Sequence, residues 1–391
     1  MKNFTYYQPT RIVFGAGESE KIGTYLSSIS RRVLLVYGEG SVIRSGLLER
    51  VKNSLDKEGV EYVEMGGVKP NPRLSLVEKG IALVRQHGLD AVLAVGGGSV
   101  IDTAKSIGIG VKYEGDVWDF YSKGLVPQET IPVAVVLTIA AAGSECSNSN
   151  VITNDYLHLP EKRGINYDVT RPVLAVMDPT LTYTLPAYQT AAGGYDIMAH
   201  VMERYFTREE GVDFTDRMCE ATLKTVIRAL PIALSTPDDY DSRSQLMWAS
   251  TIAHNDLLST GRVGDWASHR MAHQPSALYD LTHGAALSII FPAWMRYVYK
   301  SDVKRFAQFA VRVWDVEPDF GDMEKTALKG IERMEDFIRK IGLPLTFTDA
   351  GIPYSRFEEM ALRATGGDSF KLGAFYPLTS RDILDIYHSV I

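Results

Sequence analysis

Over its first half, the chain alternates short apolar segments with longer amphipathic ones, and this alternation strongly restricts the possible fold. Predicted strands, of which the second is the weakest, lie at 33–37, 61–64, 91–95, 131–137 and 172–177. Predicted helices, in which apolar residues recur at helical spacing, lie at 42–55, 73–87 and 99–109. Such an alternation predicts a parallel sheet with helices on both faces, which binds ligands at the carboxyl ends of its strands.

The second half of the chain has a different character. After about residue 184 helical periodicity dominates, and no segment there has a convincing strand pattern. With 391 residues, the chain is also longer than one hydrophobic core usually organises. We therefore predict an α/β domain over residues 1–184, with a Rossmann-like parallel sheet, and an all-helical domain over residues 185–391, with a cleft between them.

Composition excludes several classes of protein. The net charge of −7 argues against nucleic acid as a main partner, because phosphate contacts need a basic face. The longest apolar run, at 131–143, is shorter than the roughly 20 residues of a membrane span, and the first residues do not resemble a secretory signal. Cys146 and Cys219 lack metal-ligand spacing, which favours a reducing cytoplasm over a disulfide framework. We expect a cytoplasmic protein without a membrane segment.

A run of three glycines follows the predicted strand at 91–95, in the segment A-V-L-A-V-G-G-G-S-V-I-D-T-A-K. Gly96, Gly97 and Gly98 leave the backbone bare, so that a phosphate can approach it, and Ser99 is predicted to cap the following helix. The alternative is a tight turn that needs positive φ. Asp102 on the first turns of the helix either complements the helix dipole or holds a neutral polar part of the ligand.

Asp196 and His200 lie four residues apart in an apolar segment with helical spacing, so their side chains are predicted to share one helix face. They form either a surface ion pair or half of a metal site. Three further histidines follow in one short stretch, at His269, His273 and His283. A mixture of aspartate and histidine suits Zn²⁺ or Fe²⁺, so these residues favour a metal site.

Helix geometry limits which histidines can meet at one ion. On one helix His269 and His273 share a face, whereas His269 and His283 would lie about 21 Å apart. These two can approach each other only if the chain breaks between them, and Pro275 offers a break. Spacing therefore leaves two candidate sets, in which either His273 or His283 joins Asp196, His200 and His269.

The motifs resemble those of the iron-containing, or group III, alcohol dehydrogenases. The matching segments are G-G-G-S-V-I-D-T-A-K from residue 96, A-A-A-G-S-E from 140, D-P-T-L-T-Y-T-L-P from 178, G-G-Y-D-I-M-A-H from 193 and H-R-M-A-H-Q-P-S-A-L-Y-D-L-T-H-G from 269. The resemblance extends over essentially the whole chain. Because of Y-G-E-G-S-V-I-R-S-G at 37–46, it is greatest to the butanol dehydrogenase and broad aldehyde reductase branch.

The resemblance implies a role for each candidate residue. It assigns Asp196, His200, His269 and His283 to one divalent ion, Fe²⁺ or Zn²⁺. It places His273 near the substrate as a candidate proton relay, and His273 and Asp102 are the residues expected to take part in catalysis. The residues expected to bind the dinucleotide are Gly38, Glu39, Gly40, Ser41, Asn71, Gly97, Gly98, Ser99, Asp102, Thr138 and Lys162. The resemblance also implies a homodimer.

Two departures from the family pattern affect the cofactor. Ala140 and Ala142 stand where relatives often have proline and threonine, so a hydroxyl contact to the cofactor is expected to be missing. Glu39 stands where members of the same branch often have glycine. An acid beside the adenosine ribose repels the 2′-phosphate of NADP and favours NAD. Because Ser41 and Lys162 align with phosphate-binding positions, we nevertheless expect NADP(H) to be favoured over NAD(H).

The resemblance implies a metal-dependent NAD(P)H-linked alcohol dehydrogenase or aldehyde reductase, which interconverts small primary alcohols and aldehydes by hydride transfer. One alternative is a polyol or glycerol-type dehydrogenase of the same superfamily. A second is a metal-dependent lyase like the dehydroquinate synthases, which would need a basic cluster that Arg204, Arg262 and Arg270 do not supply. A third is a protein that senses NADP without turnover, which retention of all four predicted metal ligands disfavours.

Overall fold

The computed structural model describes residues 1–158 and 160–391, which divide into two compact units. The α/β unit consists of Tyr7–Leu185 and Pro237–Asn255. The helical unit consists of Met1–Tyr6, Pro186–Thr236 and Asp256–Ile391. The periodicity of the sequence indicates a change of character near residue 184, but it does not indicate that residues 237–255 return to the first unit.

Six strands of the α/β unit form one parallel sheet, in the order β1-β8-β5-β4-β2-β3. The strands of the unit are β1 Arg11–Phe14, β2 Arg32–Gly38, β3 Glu61–Val68, β4 Ala91–Gly96, β5 Val133–Leu137, β6 Ser149–Asn154, β7 Glu161–Asn166 and β8 Leu174–Met177. The five predicted strands are thus confirmed. The edge strand β1 and the antiparallel hairpin of β6 and β7 were not predicted.

The first helices of the chain are α1 Ile22–Leu26, α2 Ser41–Arg44, α3 Leu47–Lys57, α4 Leu74–His87, α5 Gly98–Val111 and α6 Asp119–Ser122. The predicted helix at 42–55 is two helices, α2 and α3, because Gly46 between them has a φ of 71°. The prediction that Ser99 caps α5 is wrong. The helix begins one residue earlier, so that Gly97 occupies the cap position and Ser99 lies inside the first turn.

Helices cover both faces of the sheet, as predicted, because successive strand residues alternate between two cores. Leu34 and Val36 of β2 belong to a core that includes residues of α4 and α5. Val33 and Leu35 belong to the opposite core, which includes residues of α1 and α3. This packing fixes the strands so that the segments after β2, β3, β4 and β5 leave the sheet at the same edge.

The remaining helices are α7 Ala187–Tyr205, α8 Asp213–Ser235, α9 Tyr240–His254, α10 Ala267–Tyr279, α11 His283–Val298, α12 Val303–Trp314, α13 Met323–Lys340, α14 Phe357–Ala364 and α15 Ser380–His388. Of these, α9 belongs to the α/β unit and the others to the helical unit. The described part of the helical unit has no strand, only one isolated bridge between Leu372 and Leu378. Among the described residues, no helix is long and apolar enough to cross a membrane.

The chain does break between His269 and His283, but not at Pro275. That proline lies inside α10, which continues to Tyr279. The break comes at Asp280, whose φ of 52° is left-handed and incompatible with a continuing helix. A short turn follows, and α11 begins at His283 itself.

Candidate metal centre and dinucleotide site

Helix α7 carries Asp196 and His200 into the interior of the helical unit. Every residue from Thr190 to Tyr205 is buried, so these two polar side chains are shielded from solvent. Their i, i+4 spacing puts them on one face, as predicted. The Nδ1 atom of His200 lies 2.9 Å from the backbone oxygen of Asp196 and forms a hydrogen bond with it. This bond orients the ring and leaves Nε2 as the nitrogen that can bind a ligand.

Helix α10 brings His269 to the same place. The candidate ligand atoms of Asp196, His200 and His269 all lie within 4.8 Å of one another, and all three residues are buried. Within the described part of the chain, the buried Oδ1 of Asp196 accepts no hydrogen bond. Burial of a carboxylate oxygen in this way is costly unless a cation compensates it. One carboxylate and two imidazoles therefore fit a divalent metal such as Zn²⁺ or Fe²⁺.

His273 and His283 lie beside these three residues. The ring centroid of His283 is 5.4 Å from that of His269 and 5.4 Å from that of His273. The turn at Asp280 makes this possible, because it returns the chain so that α11 packs against α7. There, a Cβ atom at Gly284 would lie 2.0 Å from the backbone oxygen of Ala192. Both alternatives for a fourth ligand are thus brought to the candidate metal centre.

Glu203 orients His269 by accepting hydrogen bonds from its backbone and from its ring. Its Oε1 accepts hydrogen bonds from the backbone N–H of His269 at 2.9 Å and from its ring Nδ1 at 2.7 Å. With Nδ1 as the donor, the lone pair of His269 is on Nε2, which lies 4.0 Å from Oδ1 of Asp196. Carboxylates commonly fix metal-binding histidines in this way. Burial raises the pKa of Glu203 to about 7, while the N–H groups of His269 and Trp266 oppose the rise.

Trp266 precedes α10 in a left-handed conformation, with a φ of 66°, that is rare for a bulky residue. Two contacts stabilise it. Its backbone N–H donates to Oε2 of Glu203 at 2.6 Å, and the guanidinium of Arg204 lies 4.7 Å from the centre of its ring. Its ring is also 5.3 Å from that of His269. The backbone strain is held at the candidate metal centre, where such strain is often functional.

Sequence reasoning missed both Glu203 and Trp266. The spacing of Glu203 could have pointed to it, because it lies three residues after His200 and seven after Asp196, on the same helix face. No sequence pattern could have pointed to Trp266, because its importance comes from a backbone conformation that no local pattern specifies.

In the α/β unit, the three glycines lie between β4 and α5. None of them has a positive φ, so they do not form the tight turn considered as the alternative. Gly96 and Gly97 are needed for packing, since a Cβ atom would lie 2.4 Å from a methyl group of Val100 or of Ile139. A Cβ atom at Gly98 would meet only Ala142, at an ordinary 3.7 Å. Packing does not require a glycine there, which favours close approach of a ligand.

Asp102 is tied to the segment that follows β5. Its carboxylate accepts a hydrogen bond from the Ser144 hydroxyl at 2.6 Å and another from the backbone N–H of Val151 at 3.1 Å. Burial raises its pKa, and the nearby ammonium of Lys105 counteracts this. Lys105 itself is buried, with Nζ donating to the Ser144 hydroxyl and to the backbone oxygens of Ser147 and Ser149. Asp102 therefore has a structural role whether or not it also contacts a ligand.

The other predicted cofactor residues come together at the carboxyl edge of the sheet. Gly38 ends β2, Glu39 and Gly40 form the turn and Ser41 begins α2. The backbone N–H of Thr138 donates to the oxygen of Gly96 at 3.2 Å. The β6–β7 hairpin brings Lys162 to the segment after β3, where its Nζ donates to Oδ1 of Asn71 at 2.9 Å. Parallel sheets of this kind bind dinucleotides at this edge.

Comparison with known proteins shows the family to which the chain belongs. The family model described as iron-containing alcohol dehydrogenase matches residues 9–179, and that of the Fe-containing alcohol dehydrogenase family, C-terminal, matches residues 190–391. The chain is 42% identical to a probable NADH-dependent butanol dehydrogenase 2 of Bacillus subtilis, with 99% of each chain covered. It is 34% identical to the NADPH-dependent aldehyde reductase YqhD of Escherichia coli, with 97% of each covered.

Solved structures show the same similarity. The fold matches the crystal structure of NADH-dependent butanol dehydrogenase A from Thermotoga maritima with a TM-score of 0.95 and 37% identity, covering 100% of this chain and 99% of the other. The matches to family models and to relatives extend over nearly the whole chain. The chain therefore belongs to the iron-containing alcohol dehydrogenase family, as the motif resemblance predicts.

Proposed function

We propose that this chain interconverts small primary alcohols and aldehydes by hydride exchange with a nicotinamide cofactor, at a single divalent metal ion. Membership of the family makes the chain an NAD(P)H-linked oxidoreductase of the alcohol dehydrogenase class. The observation that carries the rest is the convergence of the Asp196, His200 and His269 ligand atoms within 4.8 Å of one another. In this proposal the helical domain binds the metal and the α/β domain binds the dinucleotide, with the boundary near residue 184.

Asp196, His200, His269 and His283 are the proposed metal ligands. When bound, a divalent ion supplies a Lewis acid that favours alkoxide character at the substrate oxygen. The side chains of this protein orient the ligands and exchange the proton. Glu203 keeps the Nε2 of His269 available, and His273, whose ring lies next to that of His283, takes up or releases the proton exchanged with solvent. Fe²⁺ and Zn²⁺ both suit this set of ligands.

The choice of His283 over His273 as the fourth ligand is tested by paired alanine substitutions. His283→Ala should lose bound metal and turnover together, because it removes a ligand. His273→Ala should retain the metal while its pH–rate profile changes, because it removes only the proton relay. Metal content measured by elemental analysis decides between them, and the reverse pattern would refute the assignment.

NADP(H) is the proposed preferred cofactor, with Ser41 and Lys162 near the 2′-phosphate of its adenosine ribose. Glu39 opposes this preference, since its carboxylate lies in the same turn. The names of the relatives include both cofactors, and the more similar one is named for NADH. The proposal thus rests on the charges of this chain. Asp102, Gly98 and Asn71 complete the proposed site, in which Asp102 holds the segment after β5 through its hydrogen bonds to Ser144 and Val151.

One screen tests the whole proposal. Metal-reconstituted protein is assayed by nicotinamide absorbance against linear aldehydes and alcohols, glycerol and short diols, with both cofactors. We expect the highest kcat/KM with small aldehydes. Turnover restricted to glycerol and diols would indicate the polyol-type alternative, and cofactor binding without any turnover would indicate a sensor.

The lyase alternative finds little support in the arrangement of the arginines. The Arg204 guanidinium donates to Ser259 and to the backbone oxygen of His200, and that of Arg262 donates to the backbone oxygens of Arg204 and Val212. These arginines stabilise the helices instead of forming a pocket for an anionic substrate. We also propose a cytoplasmic homodimer on the basis of the resemblance, which light scattering can test by measuring the mass in solution.

A further inference from the structure

The pairing of β2 with β3 changes register just before the turn that contains Glu39. Val36 pairs with Met65, but Gly38 pairs with Val68, so β3 has one extra residue over this interval. Two glycines make the irregularity possible. A Cβ atom at Gly66 would lie 2.6 Å from the ring of Tyr37, and Gly67 has a φ of 91°. Bulges of this kind change which residue stands opposite the neighbouring strand.

The extra residue determines what stands next to Glu39. With the register of Val36 and Met65 continued, Glu39 would face Val68, which is buried. The shifted register, continued one residue past its last pair of Gly38 and Val68, puts Lys69 opposite Glu39. The Nζ of Lys69 indeed lies 3.6 Å from Oε1 of Glu39. Both side chains are more than half exposed, at 61% and 57%. An ion pair this exposed contributes little to stability, so its consequence lies in the local charge.

We propose that Lys69 is a specificity-determining residue, whose ammonium group offsets the charge of Glu39 and allows the turn after β2 to accept the 2′-phosphate of NADP(H). The inference rests on the proposed location of the adenosine ribose at this turn. Glu39 alone presents a negative charge to a dianionic phosphate, whereas the pair presents no net charge. The ammonium has three donors, so it can contact Glu39 and a phosphate oxygen together.

Arg44 is the nearest rival for this role. It is the last residue of α2, and its guanidinium lies beside the same turn, since a Cβ atom at Gly40 would lie 2.3 Å from its Nη1 atom. The pairing distance favours Lys69, because the ammonium that neutralises Glu39 in the structure belongs to that residue. Lys162 also contributes positive charge, but its Nζ is held by Asn71 on the segment that follows Lys69.

The test compares Lys69→Met, Glu39→Gln, the double variant and Arg44→Met by calorimetric titration with NADH and NADPH. Lys69→Met should raise the ratio of the NADPH to the NADH dissociation constant by roughly five- to tenfold, the size expected from the loss of one unit charge about 4 Å from a phosphate oxygen in a solvated site. Glu39→Gln should lower that ratio. In the double variant the effect of Lys69→Met should shrink, because the charge that it offsets is gone.

Lys112→Met is the matched control. Lys112 forms a similarly exposed pair with Glu129, at 3.9 Å, but it follows the end of α5 opposite to the glycine turn, so the ratio should stay at the wild-type value. If the wild type binds neither nicotinamide cofactor, the proposed function fails. If it binds both but Lys69→Met leaves the ratio unmoved, or only Arg44→Met moves it, the inference on Lys69 is refuted while the proposed function stands.

Discussion

Gly97 and Gly98 are adjacent, yet a methyl group has different consequences at each. At Gly97 it would overlap Ile139, whereas at Gly98 it would make an ordinary contact with Ala142. We expect Gly98→Ala to fold with nearly wild-type stability but to bind the dinucleotide at least tenfold more weakly, because the methyl group occupies the path of the phosphate. Thermal denaturation and calorimetric titration measure the two effects.

Gly97→Ala provides the comparison. It should lower the melting temperature through the clash with Ile139, so a loss of cofactor binding there would not be specific. Undiminished cofactor affinity in folded Gly98→Ala would show that the bare backbone at this position serves no ligand.

Lys105 should make the free energy of unfolding depend on pH in the alkaline range. Burial lowers its pKa to about 8 from an ordinary 10.5, although Asp102 and Glu145 favour the charged form. Between these two values the unfolded chain holds a proton that the folded chain has released. The free energy of unfolding therefore rises with pH across this window, by at most about 1.4 kcal/mol per pH unit.

Urea denaturation of the wild type and of Lys105→Met between pH 8 and 10 isolates this contribution. The variant should be less stable at every pH, because the oxygens of Ser147 and Ser149 lose their donor. The wild-type advantage should nevertheless grow with pH. A constant difference between the two proteins would contradict the lowered pKa of Lys105.

At the scale of helices, the candidate metal centre depends on how closely α11 approaches α7. A Cβ atom at Gly284 would lie 2.0 Å from the oxygen of Ala192, a backbone atom that cannot move aside cheaply. We expect Gly284→Ala to displace the start of α11, and His283 with it, and to weaken metal binding by tenfold or more. Metal content after dialysis at a fixed free-metal concentration measures the effect.

Gly330→Ala is the matched control, because the same kind of close approach occurs there between α13 and α12. A Cβ atom at Gly330 would lie 2.7 Å from the Cα of Ala310, and neither helix carries a proposed ligand. This variant should lose stability but keep its metal. Equal metal loss in both variants would mean that general destabilisation, and not the position of His283, causes it.

The sequence predicted elements well where one local pattern specifies them. Buried parallel strands such as β4 are continuous apolar runs, and α4 ends at Gly88, which adopts the predicted left-handed conformation. The pattern failed where polar residues form a strand, since E-K-R-G-I-N in β7 has little apolar character. It also failed at Pro275, because a proline inside a helix removes one hydrogen bond without always ending the helix, and α10 continues past it to Tyr279.

Across the whole molecule, the two proposed ligands belong to different units. Removing the metal should loosen the helical unit, because the buried carboxylate of Asp196 loses its compensating cation. Saturating nicotinamide cofactor should instead stabilise the α/β unit, by about 2.7 kcal/mol at a concentration of 100 times Kd. Hydrogen exchange measured by mass spectrometry, with and without a chelator, separates these effects.

We expect chelation to speed exchange mainly in α7, α10 and α11, and the cofactor to slow it mainly around residues 38–41 and 96–99. Apoprotein with unchanged exchange in α7, α10 and α11 would contradict the proposed metal centre. A chelator effect of equal size throughout both units would show instead that the metal stabilises the whole chain.

Contacts distant in sequence set the limit of prediction at this scale. Helix α9 belongs to the α/β unit because Thr251 donates a hydrogen bond to the buried carboxylate of Glu145 at 2.5 Å. In addition, Met247 lies in the core of the sheet. Neither residue differs in kind from those on helices of the other unit, so no pattern in the sequence could assign α9 correctly. The convergence of Asp196, His200 and His269 was easier to predict, because their residue types are uncommon and their motif spacing is specific.

The position of Trp266 gives the protein an intrinsic optical signal. Its indole lies 5.3 Å from the ring of His269 and 6.2 Å from that of His200, close enough for a bound transition metal to quench its emission. Adding Fe²⁺ to the apoprotein should therefore lower tryptophan fluorescence in proportion to the metal bound. Zn²⁺, with its filled d shell, should lower it less, so that the zinc-bound protein is brighter than the iron-bound protein. Trp266→Phe should abolish the difference, although four other tryptophans still emit. The residue that adopts a strained conformation beside the candidate metal centre can thus report, without a label, which metal the protein has bound.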